Sequence, residues 1–504
     1  MYRGSFGYSA LIERFGLQVP PLRQTFVGGS GSAIRIIQAP DGIERVELPK
    51  SQSAQKEGVV ELLTFALKRE HLNLAVLGAL FERPGVLDDV QAWLKAKPLS
   101  KYARQAGYLA HWVADAQFDY TLPAGAPRIP LLDPKKYVVG PSTPNPQFGI
   151  VNNLLGAKSL SPLVRRTKLL QQYLVEDMAG SVQRAIAALD PELLHRAADY
   201  LYLSETRSTY GIEDEVPDNN RAAKFRRVLE SAGELGALSE TQFWQWQNQI
   251  VSPLSAEYGY RKSQNWLSRP GRLRGIADYI PPTEKQVPLM MQGIEALRQQ
   301  TQQGSIHPVI GAACAAFGFV FIHPFLDGNG RLHRFLIHHI LRQCGFTPPG
   351  VVLPISARML KQLPRYFALL KSYSAARTAL LNYLLDSDSG TILVKSVQPA
   401  WLYAYFDATE LCEFLMECCK SCVEEDLMRE VQYLRAHDLT VKELESWLDM
   451  RQSQLNTLID VVVQGHGSLS KRKHNLVQGY SQDQIAKIEE VVSRHFADYI
   501  DAKA

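Results

Sequence analysis

The chain has 504 residues, which is too long for a single hydrophobic core and predicts several packed domains. Hydrophobic residues make up 46% of the sequence and charged residues 21%, which is typical of a globular protein and excludes a disordered or collagen-like chain. The formal net charge of +4 is small for this length, so no protein-wide field favours nucleic acid or an anionic membrane as the main partner.

The sequence favours a cytoplasmic protein without membrane contact. Its longest apolar run, residues 309–322, is shorter than the about 20 residues that a membrane-spanning helix needs. The first residues carry scattered charges and no apolar segment, so no secretory signal is predicted. Four of the six cysteines fall in one helical pattern, which favours structural thiols over a disulfide framework or a metal site: Cys412, Cys418, Cys419 and Cys422.

The N-terminal third predicts a few strands followed by helices. Residues 1 to about 55 mix short apolar runs with turn residues, which is typical of strands. Apolar residues then recur every three or four positions in 57–82, 86–97 and 101–113, which predicts helices. Seven prolines between positions 123 and 146 exclude a regular helix and indicate an ordered connector or a boundary.

Helical periodicity resumes after residue 165 and dominates the rest of the chain. A segment at about 259–280, with the turn residues Arg269-Pro270-Gly271, predicts a β-hairpin. Helices return with the apolar run 309–322, with a segment from Arg331 and with residues 364–385. We predict a mainly α, multidomain protein with five segments: a mixed N-terminal unit (1–122), a Pro-rich connector (123–165), helices (166–250), a helical core with the hairpin (251–395) and a C-terminal helical domain (396–504).

The stretch "FIHPFLDGNGRLHRF", residues 321–335, predicts an anion site at the start of a helix. Pro324 cannot continue a helix and residues 327–330 are typical of a turn, so His323 should end the apolar helix and Arg331 should start the next. Unsatisfied N–H groups and the positive end of the helix dipole favour phosphate there, and the glycines permit its close approach.

The side chains of this stretch predict transfer of a phosphorus-containing group from a nucleotide. Arg331 and Arg334 lie three residues apart and could grip phosphate oxygens. Asp327 suits Mg²⁺, and His323, with an ordinary pKa near 6.5, suits a general base. The alternative is a structural turn with Asp327 as a cap and solvated arginines, which would require all these groups to coincide by chance.

The stretch also resembles the signature of the Fic family, His-Pro-Phe-x-Asp/Glu-Gly-Asn-Gly-Arg-x-x-Arg, at every fixed position. The resemblance implies a helical Fic core that moves AMP from ATP, with Mg²⁺, onto a Ser, Thr or Tyr hydroxyl of a target protein. It implies His323 as general base and Asp327 as the Mg²⁺ ligand. The implied ATP-binding residues are Gly328, Asn329, Gly330 and Arg331 for the α- and β-phosphates and Arg334 for the γ-phosphate. The Doc branch, with Ala-Asn-Lys in this turn, transfers phosphate instead.

Resemblance to the family extends over roughly residues 165–500. The hairpin at 259–280 is similar to the Fic flap, whose edge aligns an extended target segment by strand addition. The edge predicted here comprises Ile276, Ala277, Asp278 and Tyr279. Tyr366 resembles a position that lines the nucleotide pocket, although an aromatic residue at helical spacing is also typical of a core.

An upstream motif resembles the inhibitory helix of many Fic enzymes, Ser/Thr-x-x-x-Glu-Gly/Asn. Thr209 and Glu213 match it, whereas Asp214 stands where Gly or Asn is usual. The resemblance implies that Glu213 pairs with Arg334 and occupies the place of the γ-phosphate. In some members the same glutamate helps to remove AMP from the target, so de-AMPylation stays open as a second activity.

Neighbouring histidines and a short basic segment permit functions beyond AMP transfer. The spacing of His333, His338 and His339 scatters them around a helix and favours structural roles over a zinc site. The basic residues 471–474 permit nucleic-acid binding at the C-terminus but favour a solvated surface. The same loop could transfer another nucleotide such as UMP, or the chain could be a regulatory, toxin–antitoxin-type binding protein. A homo-oligomer is also compatible with the sequence.

Overall fold

A computed structural model of the protein describes residues 3–39, 42–52, 58–187, 190–233, 236–268, 275–386, 390–470, 473, 476–497 and 499. The chain divides into two compact units. The first comprises Met1–Glu176, Asp218–Cys344 and Gln362–Met416, and the second comprises Asp177–Pro217, Gly345–Lys361 and Glu417–Ala504. Among the described residues, none of the helices has the length and apolar character needed to cross a membrane.

The first unit begins with the predicted strands. They are β1 (Arg3–Phe6), then, after helix α1 (Gly7–Phe15), β2 (Gln24–Gly28), β3 (Arg35–Gln38) and β4 (Glu44–Leu48). They form one sheet in the order β1-β2-β4-β3, in which β2 and β4 are parallel and the other pairs antiparallel. Phe6, Phe26, Val46 and Leu48 bury one face of the sheet against Phe65.

Four helices follow: α2 (Val59–Arg69), α3 (Leu74–Phe81), α4 (Val86–Ala96) and α5 (Lys101–Ala114). The segment 57–82, predicted as one helix, is therefore two. The break has a local cause, because the side chain of Asn73 accepts a hydrogen bond from the backbone N of Val76 at 3.0 Å and caps α3. Asparagine is among the preferred residues at such a position.

The proline-rich segment 123–165 is ordered and packs on α5. It contains β5 (Ile129–Pro130), β6 (Thr143–Asn145), β7 (Ile150–Asn152) and β8 (Ser161–Leu163) and is followed by α6 (Lys168–Val175). Arg104 of α5 is 2% exposed and donates to the carbonyl oxygens of Phe148, at 2.7 Å, and Pro127, at 2.8 Å. Proline has no backbone N–H, so a segment rich in proline has few donors for its own carbonyl oxygens. The buried guanidinium supplies donors in their place.

The remaining elements in chain order are α7 (Met178–Ala187), α8 (Pro191–Ile212), α9 (Asn219–Glu230), α10 (Glu240–Ile250), α11 (Val287–Gln302), α12 (Pro308–Ile322), α13 (Asn329–Gln343), α14 (Ile355–Lys361), α15 (Leu363–Thr378), β9 (Tyr383–Asp386), β10 (Thr391–Val394), α16 (Ala400–Ala404), β11 (Tyr405–Asp407), α17 (Thr409–Ser421), a π-helix (Cys422–Leu427), α18 (Met428–Glu445), α19 (Gln452–Gln464) and α20 (Gln482–His495). β9 and β10 form an antiparallel hairpin, and β11 is parallel to β8. The mainly α fold class is confirmed.

Helix α12 is the centre of the first unit. It is apolar on every side and almost entirely buried, which confirms the prediction of a core helix for 309–322. A Cβ on Gly311 would lie 2.0 Å from Thr301 Oγ1, and one on Gly318 would lie 3.0 Å from Ile294. Small residues in α12 therefore let α11 pack closely against it.

The prediction of a helix over 364–385 is wrong at its C-terminal end. Helix α15 ends at Thr378, and Leu384 and Leu385 belong to strand β9 of the hairpin β9–β10. Leu384 pairs with Leu393 across the hairpin, and Lys395 N donates to Asn382 O at 2.7 Å. A short run of leucines fits a helix or a strand equally well, so periodicity could not separate the two.

The second unit contains α7, α8, α14, the end of α17, the π-helix and α18–α20. Glu205 of α8 is fully buried and accepts hydrogen bonds from the backbone N of Ser356, at 2.7 Å, and from its hydroxyl. This pair fixes α8 against α14. Leu444, Leu458, Ile459, Val492 and Phe496 belong to a separate apolar cluster formed by the last helices.

Two buried histidines of α13 should make the first unit sensitive to acid. Burial lowers the pKa of His333 and of His339 from 6.5 to about 3. Between these values the unfolded chain binds protons that the folded chain excludes, so the free energy of unfolding should fall with falling pH, by about 1.4 kcal/mol per pH unit for each histidine. Urea denaturation between pH 6 and pH 4 measures this slope.

The matched variants are His339→Gln and His195→Gln. The first should reduce the slope by about 1.4 kcal/mol per pH unit. The second should leave it unchanged, because the side chain of His195 is 78% exposed. An unaltered slope in His339→Gln would contradict the explanation.

Candidate active site

The loop between α12 and α13 carries the predicted site residues of the "HPFLDGNGR" stretch. α12 ends at His323, whose φ of 53° and ψ of 61° are left-handed, and α13 begins after Gly328, whose φ is 85°. The positions of both helix ends agree with the prediction within two residues. The loop therefore brings the His323 imidazole and the first N–H groups of α13 into one short turn.

Arg261 holds the left-handed conformation of His323, which is uncommon for a residue other than glycine. Arg261 is 3% exposed, and its Nε donates to His323 O at 2.9 Å. Its backbone N donates to Pro324 O at 2.8 Å. Two consecutive carbonyls of the loop are thus fixed by one buried residue, which no motif in the sequence marks.

The imidazole of His323 has the protonation state that a general base requires. Its Nδ1 lies 3.2 Å from Val320 O, which assigns the proton to Nδ1 and leaves the lone pair on Nε2. The residue is 8% exposed, and burial lowers its pKa from 6.5 to about 4. The ring is therefore neutral at pH 7.

The side chain of Asn329 closes the loop. Its Oδ1 accepts from Phe325 N at 3.1 Å, and its Nδ2 donates to Phe325 O at 2.8 Å. The side-chain amide is thus hydrogen-bonded within the protein. The group of Asn329 that could bind a ligand is its backbone N–H. Gly328 lies under the loop, where an added Cβ would be 2.7 Å from Val251 Cγ1.

Asp327 of the loop forms an ion pair with Arg331 of α13. Asp327 Oδ1 accepts from Gly328 N at 2.6 Å and from Arg331 Nη2 at 3.2 Å, and Arg331 Nη1 donates to Ile250 O at 3.3 Å. The side chain of Asp327 is 46% exposed, whereas that of Arg331 is 2% exposed. The carboxylate is therefore partly exposed to solvent, whereas the guanidinium that donates to it is buried.

The exposed carboxylate of Asp327 fits a Mg²⁺ ligand. Its Oδ2 makes no hydrogen bond within the described part of the chain. No group of three or more His, Cys, Asp or Glu residues that could hold a metal ion occurs among the described residues. Mg²⁺ is commonly held by one or two carboxylates together with substrate phosphates and water, which a single aspartate at a helix N-terminus permits.

Two further residues position the loop and were not identified from the sequence. Leu326 N donates to Glu257 Oε1 at 2.8 Å, and Gln247 Nε2 donates to Asp327 O at 3.3 Å. Burial raises the pKa of the Glu257 carboxyl. Both residues lie more than sixty positions before the loop and belong to no recognisable motif, so only the fold shows their role.

The segment predicted to be the flap is described on both sides of its turn, while the turn residues Arg269, Pro270 and Gly271 lie outside the described residues. Leu267 and Tyr279 form an antiparallel bridge, with Leu267 N donating to Tyr279 O at 2.8 Å. Of the predicted edge, Ile276 is 40% exposed, whereas Ala277 and Tyr279 are 4% exposed. The Tyr279 hydroxyl donates to Phe321 O at 2.5 Å and anchors the flap to α12.

A cavity of about 560 Å³ lies between the flap, the end of α12 and α15. Its wall includes Asp278, Val320, Phe367, Lys371 and Ser374. The predicted Tyr366 is 2% exposed and stacks between His333 and Phe414, with ring centroids 6.2 and 6.1 Å away. The structure thus places Phe367, rather than Tyr366, on the cavity wall, because successive residues of a helix point in different directions.

The motif predicted to be inhibitory lies at the C-terminal end of α8, in the second unit. Thr209 is buried, and Glu213 caps the helix with its N donating to Tyr210 O at 2.9 Å. Asp214 has a φ of 57°, a left-handed conformation that Gly and Asn adopt readily and Asp tolerates. Asp214 is therefore compatible with the backbone conformation found at this position. The pairing of Glu213 with Arg334 stays a prediction.

Two weaker predictions have the following outcomes. His333 and His339 are fully buried, and His333 Nδ1 lies 2.7 Å from Ala316 O, so these histidines belong to the core. Most of the basic segment 471–474 lies outside the described residues.

The comparisons with known proteins agree with this site. The model of the Fic/DOC family matches residues 237–341, which include α10, the flap and the loop. The protein adenylyltransferase Fic of Drosophila grimshawi is 39% identical over 83 residues, which cover 16% of this chain and 17% of that protein. The protein of the same name from Drosophila melanogaster is 35% identical over 96 residues, covering 19% and 18%. The chain thus spans less than a fifth of the length of these curated relatives.

Solved structures give the same family name. A Fic family protein from Desulfovibrio desulfuricans is 18% identical, with 64% of this chain and 87% of that chain covered and a TM-score of 0.37. A Fic domain containing signaling protein from Bacteroides thetaiotaomicron is also 18% identical, with 53% and 97% covered and the same TM-score. At these scores the likeness carries no argument about geometry or activity.

A mainly helical fold with the complete histidine-to-arginine signature at a helix N-terminus defines a protein with a Fic domain. Residues 237–341 of this chain match the Fic/DOC family.

Replacing Gly328 by Ala should destabilise the protein for two separable reasons, namely its positive φ and the close approach of Val251. Gly304 has a φ of 76° and no atom within 4 Å of an added Cβ, so Gly304→Ala isolates the first reason. Gly304→Ala should lower the free energy of unfolding by roughly 1 kcal/mol, and Gly328→Ala by about 2 kcal/mol or more.

The second reason is tested by adding Val251→Ala to Gly328→Ala. Removal of Cγ1 should return part of the lost stability, measured by urea denaturation. Equal losses in Gly328→Ala and Gly304→Ala, with no recovery in the double variant, would contradict the explanation.

Proposed function

We propose that this chain is a Fic-type protein adenylyltransferase that transfers AMP from ATP to a Ser, Thr or Tyr hydroxyl of a target protein. The observation that supports this most directly is the neutral, buried imidazole of His323 in the same turn as the N-terminus of α13. A base next to an anion-binding helix end is the combination that attack on a phosphorus atom requires.

The triphosphate is proposed to bind at the N-terminus of α13. The first N–H groups of α13, including those of Asn329 and Gly330, would contact the α- and β-phosphates, because the helix end favours negative charge. Arg331, already oriented by Asp327, would add a cationic group there, and Arg334 would bind the γ-phosphate. Asp327 would hold Mg²⁺, which when bound neutralises charge on the departing phosphates.

His323 is proposed to act on the acceptor hydroxyl. Its Nε2 takes the hydroxyl proton as the oxygen forms a bond to the α-phosphorus of ATP. The bond from that phosphorus to the oxygen bridging the α- and β-phosphates breaks, and pyrophosphate leaves with the electron pair. A base must be unprotonated to do this, and a pKa of about 4 keeps the imidazole neutral throughout the physiological range.

The cavity beside the flap is the proposed site of the nucleotide base. Its volume of about 560 Å³ lies within the range of small-molecule sites. Val320 and Phe321 line it, and these residues lie just before His323 on α12. A base in this cavity would leave the α-phosphate close to the loop, whereas UMP transfer would require the same cavity to prefer a smaller pyrimidine.

Transfer chemistry is tested with ATP labelled at either end. Label on the α-phosphate should reach protein, and label on the γ-phosphate should not. His323→Ala should abolish transfer, by at least about 100-fold, without weakening ATP binding, since the ring acts on the hydroxyl rather than on the nucleotide. Filter-binding of labelled protein and calorimetric titration of ATP measure the two quantities.

His195→Ala serves as the control, because it removes an exposed histidine. Transfer of the γ-label alone would indicate kinase-like chemistry. Retention of nucleic acid or a partner protein without any transfer would favour the regulatory binder. Full transfer by His323→Ala would disprove the base assignment.

We further propose that Glu213 restrains the enzyme by pairing with Arg334 in the place of the γ-phosphate. Glu213→Gly, and Glu213→Gln with its similar shape, should therefore raise automodification with α-labelled ATP, by about tenfold or more. Asp214→Asn is the matched control, because it removes the neighbouring negative charge and keeps a residue that tolerates the left-handed backbone. Unchanged rates in both Glu213 variants would remove autoinhibition from the proposal.

The same variants address de-AMPylation. If Glu213 takes part in AMP removal, labelled protein purified after automodification should lose its label with wild-type enzyme and retain it with Glu213→Gln.

A further inference from the structure

The hairpin β9–β10 contacts the flap on both sides of its turn. The backbone N of Ala277, after the turn, donates to the hydroxyl oxygen of Tyr383 at 3.1 Å. The indole Nε1 of Trp266, before the turn, donates to Gly390 O at 3.3 Å. The hairpin was not predicted from the sequence.

The Ala277 N–H has a different partner from its neighbours. Asp278 N and Tyr279 N donate across the flap to Leu267 O, at 2.7 and 3.2 Å. Ala277 N instead meets a phenol oxygen supplied by another element. In strand addition, an N–H of this kind would be paired by a backbone carbonyl of the incoming segment.

We infer that the Tyr383 hydroxyl occupies the place of a carbonyl oxygen of the acceptor segment, and that β9–β10 must yield when this segment adds to the flap. The inference rests on the proposed function. Tyr383 thereby determines which segments are accepted, since only those whose backbone bonds outweigh the displaced contact can pair with the flap. The partner it fits is an extended peptide segment that presents its carbonyl to Ala277 and its hydroxyl to the loop.

The hairpin is weakly packed, so its displacement would cost little free energy. It is an isolated two-stranded hairpin, a structure that is only marginally stable without further packing. The cross-strand partners Leu384 and Leu393 are 56% and 60% exposed, so its outer face contributes little burial. The hydrogen bonds of Trp266 and Ala277 join the flap to the hairpin, whereas the buried Tyr279 hydroxyl fixes the flap to α12.

Tyr383 also touches the proposed nucleotide site. Its side chain lines the cavity together with Leu381 and Ala379. Removal of the hydroxyl alone therefore separates its effect on the acceptor from any effect on the base, because the aromatic ring stays in the cavity wall.

The test compares wild type with Tyr383→Phe. The substrates are α-labelled ATP and a library of short unstructured peptides, each with one Ser, Thr or Tyr. Tyr383→Phe should lower the KM for acceptor peptides by about twofold to tenfold, because one hydrogen bond no longer has to be displaced. The KM for ATP should change by a smaller factor, because the Tyr383 ring stays in the cavity wall. Trp266→Phe, which removes the other contact, should act in the same direction.

Tyr120→Phe is the matched control. It also loses one hydroxyl, which donates to Pro98 O at 2.7 Å in the N-terminal helices, and should leave both KM values unchanged. A higher or unaltered acceptor KM in Tyr383→Phe would overturn the inference, since Tyr383 would then support the flap or do nothing. Absence of α-label transfer by every variant, automodification included, would overturn the proposed function itself, and the inference with it.

Discussion

The loop between α12 and α13 depends on two left-handed residues held in place by buried side chains. His323 and Gly328 reverse the chain at the two ends of the loop, and only the second is a glycine. Arg261 secures the first reversal and the Asn329 amide closes the second. Without these contacts the imidazole and the start of α13 would not share one turn, and the proposed chemistry would lack its geometry.

The buried polar side chains of this loop have a structural role. Arg331, Asn329 and Arg261 are almost fully buried, and their side chains hold backbone or Asp327. The Asp327 carboxylate is left partly exposed. Buried contacts of this kind fix the loop before any ligand arrives, which would reduce the entropy lost on binding.

Local features of this protein could be predicted from its sequence, and features that depend on distant residues could not. The end of α12, the start of α13 and the core character of 309–322 follow from proline, glycine and apolar spacing within one short stretch. Arg261, Glu257 and Gln247 contact the loop across more than sixty residues, and no spacing rule reports such contacts. The hairpin β9–β10 was missed because its leucines fit a helix equally well. Phe367 was missed because helical spacing alone does not reveal which of two adjacent aromatic residues reaches a cavity.

The interleaving of the two units has a consequence for biosynthesis. Each unit is assembled from three separate stretches, and the first is complete only when Met416 has been added. Its apolar surfaces therefore emerge from the ribosome long before their partners do, while 177–217, which belongs to the other unit, is synthesised in between. Residues 251–395 excised as an independent domain would lack α10, whose Gln247 donates to Asp327 O. The nascent chain consequently has to stay soluble with an unfinished core over most of its length.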